Sequence, residues 1–349
     1  MSQKPQHILV IRLSSMGDVA MTVPLLQLLL EQYPELRLTV VSRPKFEAFF
    51  KHLPRVDFFA ADVDLRYRGI FGMYKLAKEL SKLKVDAVAD LHDVLRTKIL
   101  NVFLKLRSFR QIKTIDKGRA EKKKLCANNP NKQLFLIKNT FERYAEVFEN
   151  LGYKIDVLKD IFYPPLSLSE NTTALLSKAA DKIPIGIAPF ARYKAKTYPF
   201  PLVEKLIEEL LERRPELHIF LFGAKSDFEN LCQLKNAFPE NISVVGNDLD
   251  LNEELELISR LKLMLSMDSA NMHLASMLAV PVVSVWGATH PCLGFYGWRQ
   301  DPNNAVCVDR KKFPTLPSSV NGTKVHPGNE NCMETIDPAL IVQKILENL

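Results

Sequence analysis

Asp268 and Ser269 give the clearest indication of chemistry in the sequence. They follow the apolar run 261–267, which is typical of a buried strand, and a helical pattern begins directly after them. A strand that passes straight into a helix leaves the first N–H groups of the helix free, and the helix dipole there favours an anion. A second strand pattern, 282–286, ends in a loop, 287–291, at the same sheet edge, as in many ligand crevices. The pattern predicts a phosphate-sized site, although Asp and Ser are also ordinary helix caps.

A second loop of this kind opens the chain. Residues 7–13 have the apolar, β-branched pattern of a strand, and the turn after it contains Ser15, Met16 and Gly17. Glycine allows a positive φ or a close backbone approach. Asp18 then begins a helix with apolar residues at helical spacing. A carboxylate at this position can cap the helix, or it can act as a general base that the helix dipole keeps ionised.

Alternating strand and helix patterns surround both loops and must position them. In the first half, strands are predicted at 8–11, 38–41, 57–60 and 87–91, and helices at 18–33, 70–83 and 141–151. In the second half, strands are predicted at 185–188, 218–222 and 243–245, and helices at 202–213, 227–238 and 252–260. This alternation predicts two mostly parallel sheets covered by helices. A stretch with proline and serine at 163–170 marks the linker between domains at 1–165 and 166–335.

The composition limits the class of protein. With 349 residues, of which 47% are hydrophobic, the chain can form two cores of ordinary size. Its five cysteines are odd in number and form no C-x-x-C pair, which argues against a disulfide framework or a zinc site and favours a reducing cytoplasm. The polar segment 1–7 and the short apolar run after it predict neither a signal peptide nor a membrane span. We expect a cytoplasmic protein.

Basic residues are concentrated between His92 and Lys124. This segment holds eleven lysines and arginines against three acids, interleaved with apolar residues. It predicts an amphipathic helix and then a basic loop, which would lie on an anionic membrane surface or bind an acidic glycolipid; a solvated surface fits equally well. The candidate residues for such binding are Arg119, Lys122, Lys123 and Lys124. The net charge of +7 would also suit nucleic acid, but no RNP, KH or zinc-finger pattern accompanies it, so we expect no nucleic-acid partner.

Two stretches of the chain carry a resemblance to a known family. Residues 8–24, ILVIRLSSMGDVAMTVP, and residues 266–289, SMDSANMHLASMLAVPVVSVWGAT, resemble the two signature regions of glycosyltransferase family 9, the ADP-heptose:lipopolysaccharide heptosyltransferases. The spacing of elements between them is also similar to that family. The resemblance implies an α/β GT-B fold, in which two doubly wound, Rossmann-like domains face a central cleft. It also implies that a last helix, 336–349, packs back on the N-terminal domain.

The same resemblance implies a reaction and its partners. The family would transfer heptose from ADP-heptose to a lipopolysaccharide core acceptor, with inversion and with neither a metal ion nor another cofactor. Asp18 would be the catalytic base, and Ser15, Met16 and Gly17 would form its loop. We expect a monomer that makes peripheral contact with the cytoplasmic face of the inner membrane.

Donor-binding positions also follow from the family's motifs. Lys196 lies in a K-x-Y-P setting, where the family has K-x-W-P, and would stabilise the charge that the departing diphosphate gains. Asp227 replaces the glutamate of a Gly-x-x-x-Glu turn and would help to bind the nucleoside. Leu249 would be a neighbour of the adenine.

The loop after residue 267 supplies the remaining donor positions. The backbone of Ser269 and Ala270 would hold the diphosphate, with Ala270 in place of the family's usual glycine. Asp268 would fix the loop or meet sugar hydroxyls. His273, one helical turn further along, would support the diphosphate site, although a lone histidine is more often part of a core.

Other enzyme classes fit the motifs less well. The first strand leads to S-S-M-G-D and not to the G-x-G-x-x-G of a Rossmann dehydrogenase. D-x-D motifs at 62–64 and 248–250 would suit a metal-dependent GT-A transferase, but such pairs of aspartates are common by chance. A GT-B sugar-nucleotide epimerase and a non-catalytic glycolipid-binding homologue both remain open, because a fold does not determine a function.

Overall fold

The protein divides into two compact units. The computed structural model describes residues 4–107, 111–161, 163, 165–246 and 249–349. The first unit comprises Met1–Lys117 and Lys138–Pro164, and the second comprises Gly118–Ile137 and Pro165–Leu349. The sequence analysis placed residues 1–165 in one domain, whereas the structure assigns the segment 118–137 to the second unit.

The chain up to residue 164 alternates strands and helices. In chain order the elements are β1 (His7–Ile11), α1 (Met16–Ala20), α2 (Thr22–Gln32), β2 (Arg37–Ser42), β3 (Val56–Ala60), α3 (Gly69–Leu80), β4 (Ala87–Asp90), α4 (Leu95–Leu106), β5 (Gln111–Thr114), α5 (Arg119–Leu125) and α6 (Thr140–Glu149). These strands form a parallel sheet in the order β3-β2-β1-β4-β5. The order reverses between β1 and β4, and ligands of open α/β sheets bind at such a switch point.

The chain from residue 165 onward repeats this scheme. Its elements are α7 (Glu170–Leu176), β6 (Ile183–Ala188), α8 (Phe200–Arg213), β7 (Leu217–Phe222), α9 (Phe228–Ala237), β8 (Ile242–Val245), α10 (Leu251–Ile258), β9 (Leu263–Met267), α11 (Ala270–Met277), β10 (Val282–Trp286), β11 (Ala305–Cys307) and α12 (Pro338–Glu347). The strands form a second parallel sheet in the order β11-β10-β9-β6-β7-β8. Its switch point lies between β6 and β9.

Helices cover both faces of the sheets, so the central strands are buried on both sides. The side chains of residues 8–11 in β1 and 263–267 in β9 are at most 2% exposed. This explains why both strands appear in the sequence as continuous apolar runs. Within the described ranges, no helix has both the length and the hydropathy needed to cross a bilayer.

The last helix differs from the prediction. It packs on α8 and β10, and Ile341, Val342 and Ile345 belong to the core of the second unit. The sequence analysis expected this helix on the N-terminal domain, but its apolar face is used within its own unit.

Two local predictions also need correction. The helix predicted at 18–33 begins at Met16 and is divided at Met21 into α1 and α2. The predicted basic loop after α4 contains the strand β5 and the helix α5. Both elements are short, so their sequence periodicity is weak.

Candidate active site

Three loops of the second unit meet at the switch point of its sheet. The loop after β6 carries Lys196, the loop after β9 carries Asp268, and the loop after β10 carries Thr289. The Lys196 ammonium donates to Asp268 Oδ2 at 3.0 Å, and the Thr289 hydroxyl donates to the same oxygen at 2.6 Å. An ammonium has three N–H donors, so this contact leaves Lys196 capacity to bind an anion. Asp268 therefore joins the loops that carry Lys196 and Thr289.

Close backbone packing holds the Lys196 side chain in this position. The Ala288 N–H donates to Ala195 O at 3.1 Å, and the Ser318 N–H donates to Ala288 O at 2.8 Å, so the loops after β6 and β10 and the segment at Ser318 are connected through their backbones. Gly322 has a φ of +75°, and a Cβ there would lie 2.6 Å from Cγ and Cδ of Lys196. The aliphatic part of Lys196 lies directly over Gly322, where a larger residue would displace it.

The helix α11 begins immediately after this cluster. Ser269 is its N-cap and Ala270 its first residue, and both are half-buried. The Ser269 hydroxyl lies 3.1 Å from Ser266 Oγ. His273, one turn further along, is buried in the helix. The positive end of the α11 dipole therefore follows Asp268 directly, and together with Lys196 it forms an arrangement that favours a phosphate group.

Asp227 and Leu249 lie in the loops after β7 and β8. Asp227 Oδ2 accepts the Ala224 N–H at 2.9 Å, and its Oδ1 accepts the Ser226 hydroxyl at 3.2 Å, so the carboxylate closes its own turn. Leu249 is half-buried, and Asp248 before it lies outside the described residues. The contacts of Asp227 and Leu249 with a nucleoside stay a prediction.

The switch point of the first unit holds Asp18 by both carboxylate oxygens. Arg12 follows β1 and places Nη2 2.8 Å from Asp18 Oδ1, while its Nη1 donates to Leu91 O at 2.6 Å. Asp18 Oδ2 accepts the Ser15 backbone N–H at 3.1 Å and the Ser15 hydroxyl at 2.6 Å. The Asp18 side chain nevertheless remains 23% exposed, so a substrate group can reach it.

This hydrogen bonding explains why the helix begins earlier than predicted. Because the Asp18 carboxylate accepts the Ser15 N–H, Ser15 is the N-cap and Asp18 is the third residue of α1. Met16 is the first helical residue. Gly17 is buried within α1 and does not adopt a positive φ, which was one of the two uses expected of this glycine.

Arg12 is a buried cation that the sequence analysis did not assign to the site. Burial opposes its charge, but the Asp18 carboxylate beside it contributes to a net rise in the pKa of the guanidinium. The Tyr144 ring lies 5.9 Å from the guanidinium carbon, and the Tyr144 hydroxyl donates to Asp18 O at 3.2 Å. A permanently charged neighbour favours the ionised form of a carboxylate, which is the form a general base needs.

His92, which follows β4, is a second residue that the sequence analysis missed. It is 7% exposed, and its Nε2 lies 3.5 Å from Ser14 Oγ. Burial, with the positive charge of Arg12 next in importance, lowers the pKa of His92 to about 3. The imidazole is therefore neutral near pH 7. The signal for Arg12, His92 and Thr289 was available in the sequence, because each stands shortly after the carboxyl end of a central strand.

The predicted acceptor-binding residues lie on α5, which belongs to the second unit. Lys122 is buried, and its ammonium lies 4.0 Å from the centre of the Phe295 ring. Arg119, Lys123 and Lys124 are exposed. Lys122 thus packs within the unit that also carries Lys196, and acceptor binding by the exposed residues of α5 stays a prediction.

Comparison with known proteins identifies the family. The profile described as "Glycosyltransferase family 9 (heptosyltransferase)" matches residues 73–321. The chain belongs to glycosyltransferase family 9. It is therefore a glycosyltransferase, and the predicted resemblance to this family is confirmed.

Relatives from two organisms align with most of the chain. Lipopolysaccharide heptosyltransferase 1 of Campylobacter coli is 24% identical and covers 97% of this chain and 98% of its own length. Lipooligosaccharide heptosyltransferase 2 of Haemophilus influenzae is 25% identical, covering 82% of this chain and 84% of its own. The similarity therefore extends well beyond the matched profile.

Solved structures share the fold. The glycosyl transferase family 9 protein from Veillonella parvula superposes with a TM-score of 0.75 at 18% identity, covering 99% of this chain and 98% of that one. The E. coli heptosyltransferase WaaC with ADP gives a TM-score of 0.66 at 20% identity, covering 98% of this chain and 100% of that one. The predicted GT-B fold, built from two Rossmann-like domains, is confirmed.

Proposed function

We propose that this glycosyltransferase transfers heptose from ADP-heptose to a lipopolysaccharide inner-core acceptor, with inversion and without a metal ion. The family and the names of the relatives support a heptosyl donor and a lipopolysaccharide acceptor. The observation that carries the proposal is the loop cluster of the second unit, where the Lys196 ammonium adjoins the start of α11. A cation beside a helix N-terminus suits a nucleoside diphosphate leaving group.

The donor half of the mechanism is stabilisation of charge. When the bond from the anomeric carbon to the diphosphate oxygen breaks, its electron pair leaves with the nucleotide. Lys196 and the N–H groups at the start of α11 would meet that charge, with Asp268 and Thr289 holding the ammonium in place. Because Lys196 supplies the positive charge, the proposal requires no divalent ion.

The acceptor half of the mechanism is removal of a proton. An acceptor hydroxyl would attack the anomeric carbon from the side opposite the diphosphate, which inverts the configuration, and its proton would pass to Asp18. The Asp18 side chain is 23% exposed, so a hydroxyl can approach it while Arg12 and Ser15 hold the carboxylate. Arg12 keeps the Asp18 carboxylate, which would accept the proton, oriented before the reaction begins.

The test measures transfer with purified full-length protein. ADP-heptose is supplied with and without deacylated lipopolysaccharide core, and UDP-sugars serve as donor controls. We expect ADP release that depends on the acceptor, and a product whose new linkage has the opposite anomeric configuration to the donor. Isomerisation of the sugar nucleotide without acceptor would instead indicate an epimerase, and binding without turnover would indicate a non-catalytic homologue.

A further inference from the structure

The helices α3 and α4 of the first unit carry an apolar surface that the core does not use. Among the described residues, fourteen large hydrophobic side chains are exposed, and half of them lie between residues 65 and 106. They include Phe71 at 91%, Leu106 at 78% and Leu95 at 76% exposure. Single exposed apolar residues are common, but a concentration of this kind on one pair of helices marks an interaction surface.

The helix α4 is apolar on two faces. Its buried face, with Leu100 and Leu104, packs into the core of the first unit. Leu95, Val102 and Leu106 lie on the opposite face, at a spacing that places them in one stripe along the helix. The core explains only the buried face, so the exposed stripe needs a separate explanation.

Contacts between the two helices join this stripe to the exposed residues of α3. The Tyr74 and Phe103 rings meet edge to face with their centres 5.5 Å apart. The Arg107 guanidinium carbon lies 5.0 Å from the centre of the Tyr74 ring. Ile70 and Phe71, one turn before Tyr74, extend the apolar surface along α3.

Positive charges outnumber negative charges around this surface, where Arg96 and Lys98 of α4 lie 3.7 Å from Asp64 and 3.5 Å from Asp93. The two helices carry five lysines and arginines and one acid, Glu79, which is bound by Arg66 at 2.9 Å. Lys98 and Lys105 lie along one edge of the α4 stripe, and Lys75 and Lys78 are exposed on α3. An apolar surface edged by lysines suits the boundary between anionic headgroups and acyl chains of a bilayer. A second copy of the chain carries the same positive charge on this surface and would be repelled by it.

We infer that the α3–α4 surface docks the enzyme on an anionic lipid bilayer. Phe71 and Leu106 enter the boundary of the acyl chains, and the flanking lysines pair with lipid phosphates. This inference goes beyond the transfer reaction and does not depend on the identity of the donor.

The test is flotation of the full chain with lipid vesicles, without donor or acceptor. We expect binding to vesicles of phosphatidylglycerol and phosphatidylethanolamine, weaker binding in high salt, and none to phosphatidylcholine alone. The double variant Phe71→Ser with Leu106→Ser should bind at least about tenfold more weakly. The matched control is Leu136→Ser with Leu158→Ser, because these residues are 89% and 86% exposed but lie outside α3 and α4.

Three results would overturn the inference. These are no binding of the unaltered protein to anionic vesicles, equal binding of the two double variants, or an unaltered protein that is dimeric while the Phe71 and Leu106 variant is monomeric. The last result would assign the surface to a second copy of the chain. Transfer to a deacylated, soluble acceptor should be the same in both double variants, so a failure of docking is distinguishable from a failure of the proposed function.

Discussion

Each of the two candidate reactive side chains is paired with a buried opposite charge. Asp18 is held by Arg12, whose side chain is 6% exposed, and Lys196 is held by Asp268, whose side chain is 10% exposed. A long, flexible lysine or a carboxylate on a short turn would otherwise sample several rotamers. The pairing fixes each group before substrate binds, which reduces the entropy lost on reaching the transition state.

The first prediction concerns Asp18. Asp18→Asn should lower turnover by about 100-fold or more, because the amide cannot accept the proton. It should also destabilise the protein by on the order of 1–3 kcal/mol, since Arg12 loses its charged partner. Turnover, donor affinity and thermal unfolding are measured together, and donor affinity should change little.

The double variant Arg12→Met with Asp18→Asn separates the two effects. It removes both charges, so most of the lost stability should return while the enzyme stays inactive. If Asp18→Asn or the double variant turned over at a near-normal rate, Asp18 would not be the base.

A second prediction concerns His92 and acid. The folded-state pKa is about 3 against an ordinary value of 6.5, so the unfolded chain binds the proton more tightly. The stability that the neutral imidazole contributes is complete above pH 6.5 and is lost as the pH falls towards 3. Between pH 7 and 5 this amounts to roughly 2 kcal/mol.

Denaturant unfolding at pH 7 and at pH 5 measures whether the protein loses stability in acid as expected. In His92→Gln the loss of stability between pH 7 and 5 should be smaller by about that amount, whereas His52→Gln, at an exposed position, should match the unaltered protein. An unchanged loss in His92→Gln would mean that other buried groups carry the acid sensitivity.

At the scale of elements, the sequence predicted the strands of both switch points and the loops that follow them. The strand at 282–286 has the predicted bounds, and the helix after Asp268 begins where the pattern placed it. These predictions succeed because buried parallel strands are continuous apolar runs, and a change of periodicity marks the start of the helix. The two loops with predicted chemistry therefore lie at the switch points of their sheets.

The parts that sequence could not give depend on contacts between distant residues. Arg12 looks like the polar end of a strand until Asp18 is placed beside it, and Lys122 looks like a surface lysine until Phe295 is found under its ammonium. The segment 118–137 is joined to the second unit by Lys132, whose ammonium donates to Thr315 O at 2.7 Å and Pro317 O at 2.8 Å. Local periodicity carries no information about such pairs.

A third prediction concerns the loop that supports Lys196. In Gly322→Ala the new Cβ would overlap Cγ and Cδ of Lys196 and displace the ammonium. Donor binding should weaken by about tenfold, the equivalent of ~1.4 kcal/mol. Titration calorimetry with the nucleotide sugar or with ADP measures the effect.

Gly328→Ala is the matched control for this loop. Gly328 has a φ of +86°, against +75° for Gly322, but a Cβ there would meet nothing within 4 Å. Both variants carry similar backbone strain, and only Gly322→Ala displaces Lys196. Equal donor affinities in the two variants would mean that Lys196 does not contribute to binding of the diphosphate.

At the scale of the whole molecule, one architecture occurs twice with different charged groups at its two switch points. The switch point of the first sheet carries a carboxylate, and that of the second carries an ammonium beside a helix N-terminus. Transfer of a sugar from a nucleoside diphosphate needs one group that accepts a proton and another that meets the charge of the leaving group. In the proposed mechanism each unit contributes one of these groups.

The carboxylate pairs that could bind a metal have other partners. Asp62 Oδ1 accepts the N–H groups of Asp64 and Leu65, and Asp64 forms an ion pair with Arg43. In the second D-x-D motif, at 248–250, Asp250 is the N-cap of α10 and its Oδ1 accepts two backbone N–H groups. Asp248 lies outside the described residues. Each carboxylate described therefore has a local structural role.

The final prediction follows from this assignment of charges. In the proposed mechanism Lys196 and the start of α11 stabilise the leaving diphosphate, so acceptor-dependent transfer by the full chain should be unchanged in excess EDTA. Lys196→Met should slow transfer and weaken donor binding whether or not manganese is added, since the part of the chain that the structure describes holds no cluster of three or more acidic, histidine or cysteine side chains for a metal ion. Loss of activity in EDTA with recovery on adding manganese would contradict this mechanism, and Asp62→Asn with Asp64→Asn would then show whether that pair holds the ion.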